Sequence, residues 1–155
     1  MIWNFPNFKG AVDGKHVYIE APANSGSVYF NYKKTFFVVL LALVDATYNF
    51  IKIDVGSFGR SSDGGIFSHS ALGRRMENGS LHIPLDSCLP GTNVQAPSLL
   101  VGDEAFPLHT YLMRPYPGRQ SIGNDFMTCL NNRLSRARRV SESAFGILAQ
   151  KFRIF

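Results

Sequence analysis

Carboxylates are scarce in this sequence, eleven among 155 residues, so each position can be weighed individually. Asp13 stands between Val12 and Gly14 in a stretch of strand-forming residues, where an unpaired charge is costly if buried. Asp103 follows the short apolar run at 98–102, and the carboxyl end of a strand is where open α/β sheets place ligands. Glu142 falls in a helical segment, 133–155. At roughly 100° per residue, the apolar stripe Leu134, Ala137, Ala144, Leu148 and Phe152 centres about 140° away, leaving Glu142 on the polar face beside Arg138 and Arg153. Converging at one sheet edge, three such carboxylates suit two-metal chemistry. Hard oxygen ligands hold Mg²⁺ or Mn²⁺, one ion activating an attacking hydroxyl and the other stabilising the leaving oxygen of a phosphodiester. A plainer reading stands beside it: Asp13 as a satisfied strand polar, Asp103 as a helix cap, Glu142 as a solvated partner of Arg138.

The other candidates divide the same way. His16, three residues after Asp13, points to the opposite face of a regular strand and reads as packed or hydrogen-bonded rather than as a ligand. Ser61, Ser62 or Asp63 can cap a helix, and Asp45 and Asp54 flank a hairpin turn that they serve. Glu104 is left out of the metal set, and His69, His82 and His109 form no ligand spacing. Arg133, Arg136, Arg138 and Arg139 form a dense basic cluster ahead of Glu142. It is either a solvated helix face or a set of contacts to nucleic-acid phosphates, with Lys33 and Lys34 adding to the surface.

The elements that must position these residues follow from local pattern. Residues 11–20 predict a strand, ended by Pro22 and the small polar residues after it. The nearly continuous apolar run at 35–45 predicts a strand covered on both faces, although periodicity alone also admits a buried helix. A second strand over 49–56 makes a hairpin with it. A helix is expected from about 61–63 to 77, an irregular connection over 81–97 and a short buried strand over 98–102. Residues 107–123, with Pro107, Pro115, Pro117, Gly118 and Gly123, predict mostly loop with a helical turn or two. From 124 to 155 two helices or one broken helix are expected. The order predicts an α/β fold, a mixed sheet flanked by helices.

Composition bounds the rest. At 45% apolar residues, the chain supports one compact domain, 1–155, and thirteen Phe with only 17% charged residues exclude global disorder. The longest apolar run, nine residues from Phe36, is about half a membrane span, so no membrane partner is expected. Residues 1–6 lack the features of a secretory signal, and Cys88 and Cys129 are too few for a disulfide framework, so an intracellular chain with reduced thiols is expected. Asn78-Gly79-Ser80 therefore reads as a chance sequon. The net charge of +5 is unevenly spread. Residues 1–106 hold eight bases and nine acids; residues 107–155 hold eight bases against Asp125 and Glu142 alone. A basic final third fits a polyanionic partner.

Larger blocks add a resemblance. Phe5-Pro-Asn-Phe-Lys-Gly-Ala-Val-Asp-Gly-Lys-His16, Tyr29-Phe-Asn-Tyr-Lys33, Val44-Asp-Ala46, Asp54-Val-Gly-Ser-Phe-Gly-Arg-Ser-Ser-Asp-Gly-Gly65, Val101-Gly-Asp-Glu-Ala-Phe-Pro107 and Asn132-Arg-Leu-Ser-Arg-Ala-Arg-Arg-Val-Ser-Glu-Ser-Ala-Phe-Gly146 recur in order across nearly the whole chain. In these blocks the sequence resembles the DDE endonuclease domain of the PIF/Harbinger transposase superfamily and its domesticated nucleases. The resemblance implies an RNase H-like fold, with Asp13, Asp103 and Glu142 matching the catalytic and metal-binding triad. It implies a DNA substrate, two Mg²⁺ or Mn²⁺ ions, a nuclear location, and water or a DNA 3′-hydroxyl as nucleophile. It also favours Arg133, Arg136, Arg138 and Arg139 as DNA-backbone contacts. Members usually carry a helix-turn-helix-like region before this domain and helices after it, so the chain reads as a catalytic core cut from a longer ancestor, with specificity supplied by a separate DNA-binding protein. The alternative is a non-catalytic module that binds nucleic acid or a partner.

Overall fold

The computed structural model describes residues 5–27, 29–30, 35–58, 63–81, 84 and 86–152. The expectations placed on Lys33, Lys34, Ser61, Ser62, His82 and Arg153 lie outside the described residues, as does the Asp63 side chain. Three long strands come first: β1 (Phe8–Ile19), β2 (Phe36–Val44) and β3 (Phe50–Phe58). Helices α1 (Asp63–His69) and α2 (Ala71–Glu77) follow, then the short strands β4 (Ser87–Cys88), β5 (Gln95–Ala96), β6 (Leu99–Val101) and β7 (Leu112–Met113). A single turn, α3 (Gly118–Ser121), leads into α4 (Asp125–Phe152), which is 28 residues long.

Five strands form one sheet in the order β3-β2-β1-β6-β7. β1, β2 and β3 are antiparallel neighbours, whereas β6 and β7 run parallel to β1 and to each other. This mixed sheet with helices on both faces is the α/β architecture expected, and its order is compatible with an RNase H-like fold. β2 shows why the apolar run is so long. Phe37, Val39, Leu41 and Leu43 pack toward Ile66, Phe67, Leu72 and Met76 of α1 and α2, while Leu40, Ala42 and Val44 pack toward Val140, Ala144 and Phe145 of α4. A strand buried on both faces has no polar alternation to display. Each fully buried aliphatic or aromatic side chain stabilises the fold by about 1.5–3 kcal/mol.

Several local expectations are revised. The helix expected through to residue 77 is two helices. At their junction the Ser70 hydroxyl donates to the Phe67 carbonyl at 2.7 Å and accepts from Gly73 N–H at 2.9 Å, closing α1 and capping α2 together. α2 then lies against the Phe67 carbonyl, where only a glycine at 73 fits. Conversely, the segment expected to be two helices or a broken one is continuous α4. Asn124 caps it through Met127 N–H at 3.1 Å, and no proline follows to interrupt it. Asn131 turns its amide outward and pairs with both the N–H and the carbonyl of Tyr116, at 2.8 and 3.0 Å, instead of breaking the helix. Phe152, placed on the apolar stripe by periodicity, is exposed, and Val140 and Ser141 are buried in its stead.

Two elements lie in segments read as irregular. β4 and β5 form a small exposed hairpin, held by the Asn7 amide donating to the carbonyls of Ser87 and Ala96 at 3.1 and 2.7 Å. β7 adds an edge to β6 through Leu100 N–H to the Tyr111 carbonyl, 2.8 Å, and Gly102 N–H to the Met113 carbonyl, 2.9 Å. Among the described residues no helix is long and apolar enough to cross a membrane. Cys88 and Cys129 are free and exposed.

Candidate active site

Strand pairing decides the position of the first two carboxylates. β1 and β6 are parallel, with Ala11 opposite Val101. Side chains two residues apart on a strand share a face. Asp13 and Asp103 each stand two positions beyond that pair, so they emerge side by side on the face covered by α4. Adjacent strands lie about 4.8 Å apart. The connection after β1 leads to β2 on one side of the pair and that after β6 to β7 on the other, so the carboxylates mark the point where the chain diverges.

Both are oriented by backbone N–H groups. Gly14 N–H donates to Asp13 Oδ1 at 2.9 Å, and Ala105 N–H donates to Asp103 Oδ1 at 2.8 Å. From above, the Ser141 hydroxyl of α4 reaches Asp13 Oδ2 at 3.0 Å and also lies 2.8 Å from the Arg138 carbonyl. Arg138 Nη2 lies 3.9 Å from Asp103 Oδ2. Burial pushes the Asp13 pKa above the usual carboxylate value. The Ser141 hydrogen bond, the Arg138 charge and the Gly14 N–H oppose that rise, and the nearby Asp103 charge adds to it. Asp13 is thus a carboxylate whose ionised form is disfavoured chiefly by loss of solvent.

Glu142 is exposed on α4. At about 100° per residue it lies some 40° around the helix from Arg138 and 100° from Ser141, on the flank of the face that meets Asp13. Among the described residues no three His, Cys, Asp or Glu side chains are gathered closely enough to hold a metal ion. The structure therefore brings Asp13 and Asp103 together and does not join Glu142 to them. The donor chemistry of the pair nevertheless fits a hard divalent cation: two carboxylates on one face, one of them half-buried and partly desolvated.

The basic cluster divides. Arg133, Arg136 and Arg139 are exposed, whereas Arg138 is half-buried and turned to Asp103. Ser141 and Arg138 are the neighbours that reasoning from the carboxylates alone overlooks as partners of Asp13 and Asp103. A serine one residue before Glu142, within an otherwise apolar stripe, was the available signal.

Other candidates take ordinary roles. The His16 ring packs at a tilt against Phe37, centroids 4.3 Å apart, on the sheet face opposite Asp13. Asp45 accepts from Thr47 and Asn49 backbone N–H groups and side chains at 2.8–3.1 Å; desolvation is the largest single influence and raises its pKa, but these four hydrogen bonds together outweigh it and hold the pKa below the usual value. Asp54 lies within β3, opposite Leu41, rather than in the turn; its carboxylate accepts from Ala71 N–H at 3.2 Å and ties β3 to the start of α2. The Glu104 carbonyl accepts from Arg114 at 2.9 Å. His69 meets the Gly65 carbonyl at 2.8 Å, and His109 stacks on Tyr111 at 4.9 Å. Two cavities, of about 200 and about 340 Å³, include neither Asp13 nor Asp103 in their lining.

Comparison with known sequences gives a consistent result. The family described as "DDE superfamily endonuclease" matches residues 12–155. A curated relative, "Protein ALP1-like" from Arabidopsis thaliana, is 28% identical over 159 aligned residues, covering 99% of this chain and 37% of its own length. The chain therefore spans little more than a third of that relative. No solved structure matches.

Proposed function

Because the chain belongs to the DDE superfamily endonuclease family, we propose that it is the catalytic core of a metal-dependent DNA endonuclease, with Asp13, Asp103 and Glu142 as its catalytic and metal-binding carboxylates. The observation that carries this reading is the side-by-side placement of Asp13 and Asp103 on adjacent parallel strands beneath α4. Asp13 and Asp103 would hold Mg²⁺ or Mn²⁺, two ions in all, with Glu142 as the further ligand from the helix. Bound there, the ions supply Lewis acidity for phosphodiester attack and charge for the leaving oxygen.

The chain's own residues prepare the site. Gly14 N–H and the Ser141 hydroxyl fix the Asp13 carboxylate, and Ala105 N–H fixes Asp103, so the donors are aligned before anything binds. Exposed Arg133, Arg136 and Arg139 contact backbone phosphates, and Arg138 adds to them where its pairing with Asp103 is released. Phosphate contacts position a duplex without reading its sequence, so target choice falls to a separate DNA-binding protein. A DNA substrate fits a nuclear location.

Incubation with supercoiled plasmid and Mg²⁺ or Mn²⁺ tests the reading. Nicking is expected, and its loss in Asp103→Asn. Absence of nicking, or nicking unchanged in that variant, overturns it. The exposed arginines by themselves also support a module that binds DNA without cutting, and salt-sensitive binding with no metal-dependent nicking would favour that alternative.

A further inference from the structure

Arg138 is held differently from a permanent structural ion pair. An arginine committed to a carboxylate docks through paired hydrogen bonds at about 2.8 Å. Here the contact to Asp103 is 3.9 Å, and the Arg138 Nε is buried without a hydrogen-bond partner. The two side chains keep 22% and 29% of their exposure, so solvent reaches the pair and its attraction is partly screened. The same guanidinium acts on Asp13, opposing the effect of that residue's burial. One cation thus stands 3.9 Å from one carboxylate, and the carbonyl of its own residue lies 2.8 Å from the Ser141 hydroxyl that holds the other. The rest of the cluster, Arg133, Arg136 and Arg139, faces solvent.

We propose that Arg138 is the resident cation of the Asp13 and Asp103 pair: it holds the two carboxylates together in the metal-free protein and competes with a divalent ion for them. This rests on the reading of Asp13 and Asp103 as metal ligands. Two ionised carboxylates on neighbouring strands repel, and a positive charge near both offsets the repulsion. A divalent ion offers the same pair twice the charge in a smaller sphere. The guanidinium is then surplus beside it, and its loose contact lets it turn from Asp103 toward the phosphates of a bound strand. The Nε left without a partner fits a side chain with a second place to go. Arg138 is in this account a positioning residue that sets metal affinity.

Titration of the full chain with Mn²⁺, following free Mn²⁺ by electron paramagnetic resonance, tests the proposal without recourse to cutting. Arg138→Gln is expected to bind Mn²⁺ about tenfold more tightly than wild type, the effect of removing one unit charge roughly 6 Å from a doubly charged ion in water-like surroundings. Arg138→Lys, which keeps the charge, is expected within about threefold of wild type. Without metal, Arg138→Gln should melt below wild type and recover more on adding Mn²⁺. Arg138→Met, which retains an apolar stem, carries the same expectation should the glutamine variant fail to fold. Equal or weaker Mn²⁺ binding by a cooperatively melting Arg138→Gln or Arg138→Met overturns the proposal. Asp103→Asn separates the two levels. If it binds Mn²⁺ as wild type does, the metal-ligand reading falls and the proposal with it. If it loses Mn²⁺ while removal of Arg138 gains nothing, only the proposal falls.

Discussion

Ser141→Ala tests whether α4 positions the Asp13 carboxylate on β1, the proposed metal ligand. Ser141 is 1% exposed, and its hydroxyl lies 3.0 Å from Asp13 Oδ2 and 2.8 Å from the Arg138 carbonyl. It has one proton, and the ionised acceptor is the stronger competitor for it. A hydrogen bond to a charged group contributes about 1.5–3 kcal/mol. Asp13 is not fully buried, so water partly replaces the lost donor, and alanine recovers about 0.5 kcal/mol of helix propensity. The net cost is about 1–1.5 kcal/mol. A chain of 155 residues unfolds with an entropy near 0.33 kcal/mol/K at about 2.1 cal/mol/K per residue, so Tm should fall by about 3–5 °C. Loss of a group that orients a metal ligand should also weaken Mn²⁺ binding by about 10–100-fold. Calorimetry on wild type, Ser141→Ala, Asp13→Asn and the double variant measures the coupling, expected at about 1 kcal/mol. A melting point unchanged in Ser141→Ala, or costs that simply add in the double variant, would refute the reasoning.

Two further outcomes follow from the same geometry. Burial raises the Asp13 pKa above its unfolded value of 3.8, so folding penalises the ionised form more than the protonated one. The stabilisation this gives is fully present below the unfolded pKa and is lost as pH rises through the folded one. Asp13→Asn should therefore raise metal-free Tm at neutral pH while abolishing nicking, with the gain shrinking toward pH 4; a variant that melts lower at neutral pH contradicts this account of Asp13. Gly64→Ala places a Cβ against the Ala105 carbonyl, in the turn whose N–H orients Asp103. It should cost about 1–3 kcal/mol in urea denaturation and slow nicking, and a neutral effect would show that α1 is not braced on that turn.

Much of the local structure is written in the sequence. The apolar run of β2 cannot be satisfied except between two covering layers, and the turn chemistry of Asp45, Thr47 and Asn49 fixes the hairpin that follows. His16 falls on the face opposite Asp13 because strand alternation permits nothing else. Where expectation failed, a short signal was outweighed by a contact from elsewhere. Ser70 reads as one polar residue in a helix, yet it divides α1 from α2 because Gly73 can lie against the Phe67 carbonyl. β7 is two residues between prolines and exists only because β6 offers it a free edge.

The site divides along the same line. The sequence by itself determined which residues are candidates for the chemistry: the matching blocks single out Asp13, Asp103 and Glu142, and composition confines the basic excess to the final third. Only the tertiary structure decided how they meet. Parallel pairing of β1 with β6 sets Asp13 beside Asp103 although 90 positions separate them, and no periodicity within either segment contains that register. The packing of α4 on β1 then turns Ser141 and Arg138 inward and leaves Glu142, Arg133, Arg136 and Arg139 outside. Helical spacing fixes the angles between these side chains but not the rotation of the helix on the sheet, which is set by burial of Val140, Ala144 and Phe145 against Ala42 and Val44.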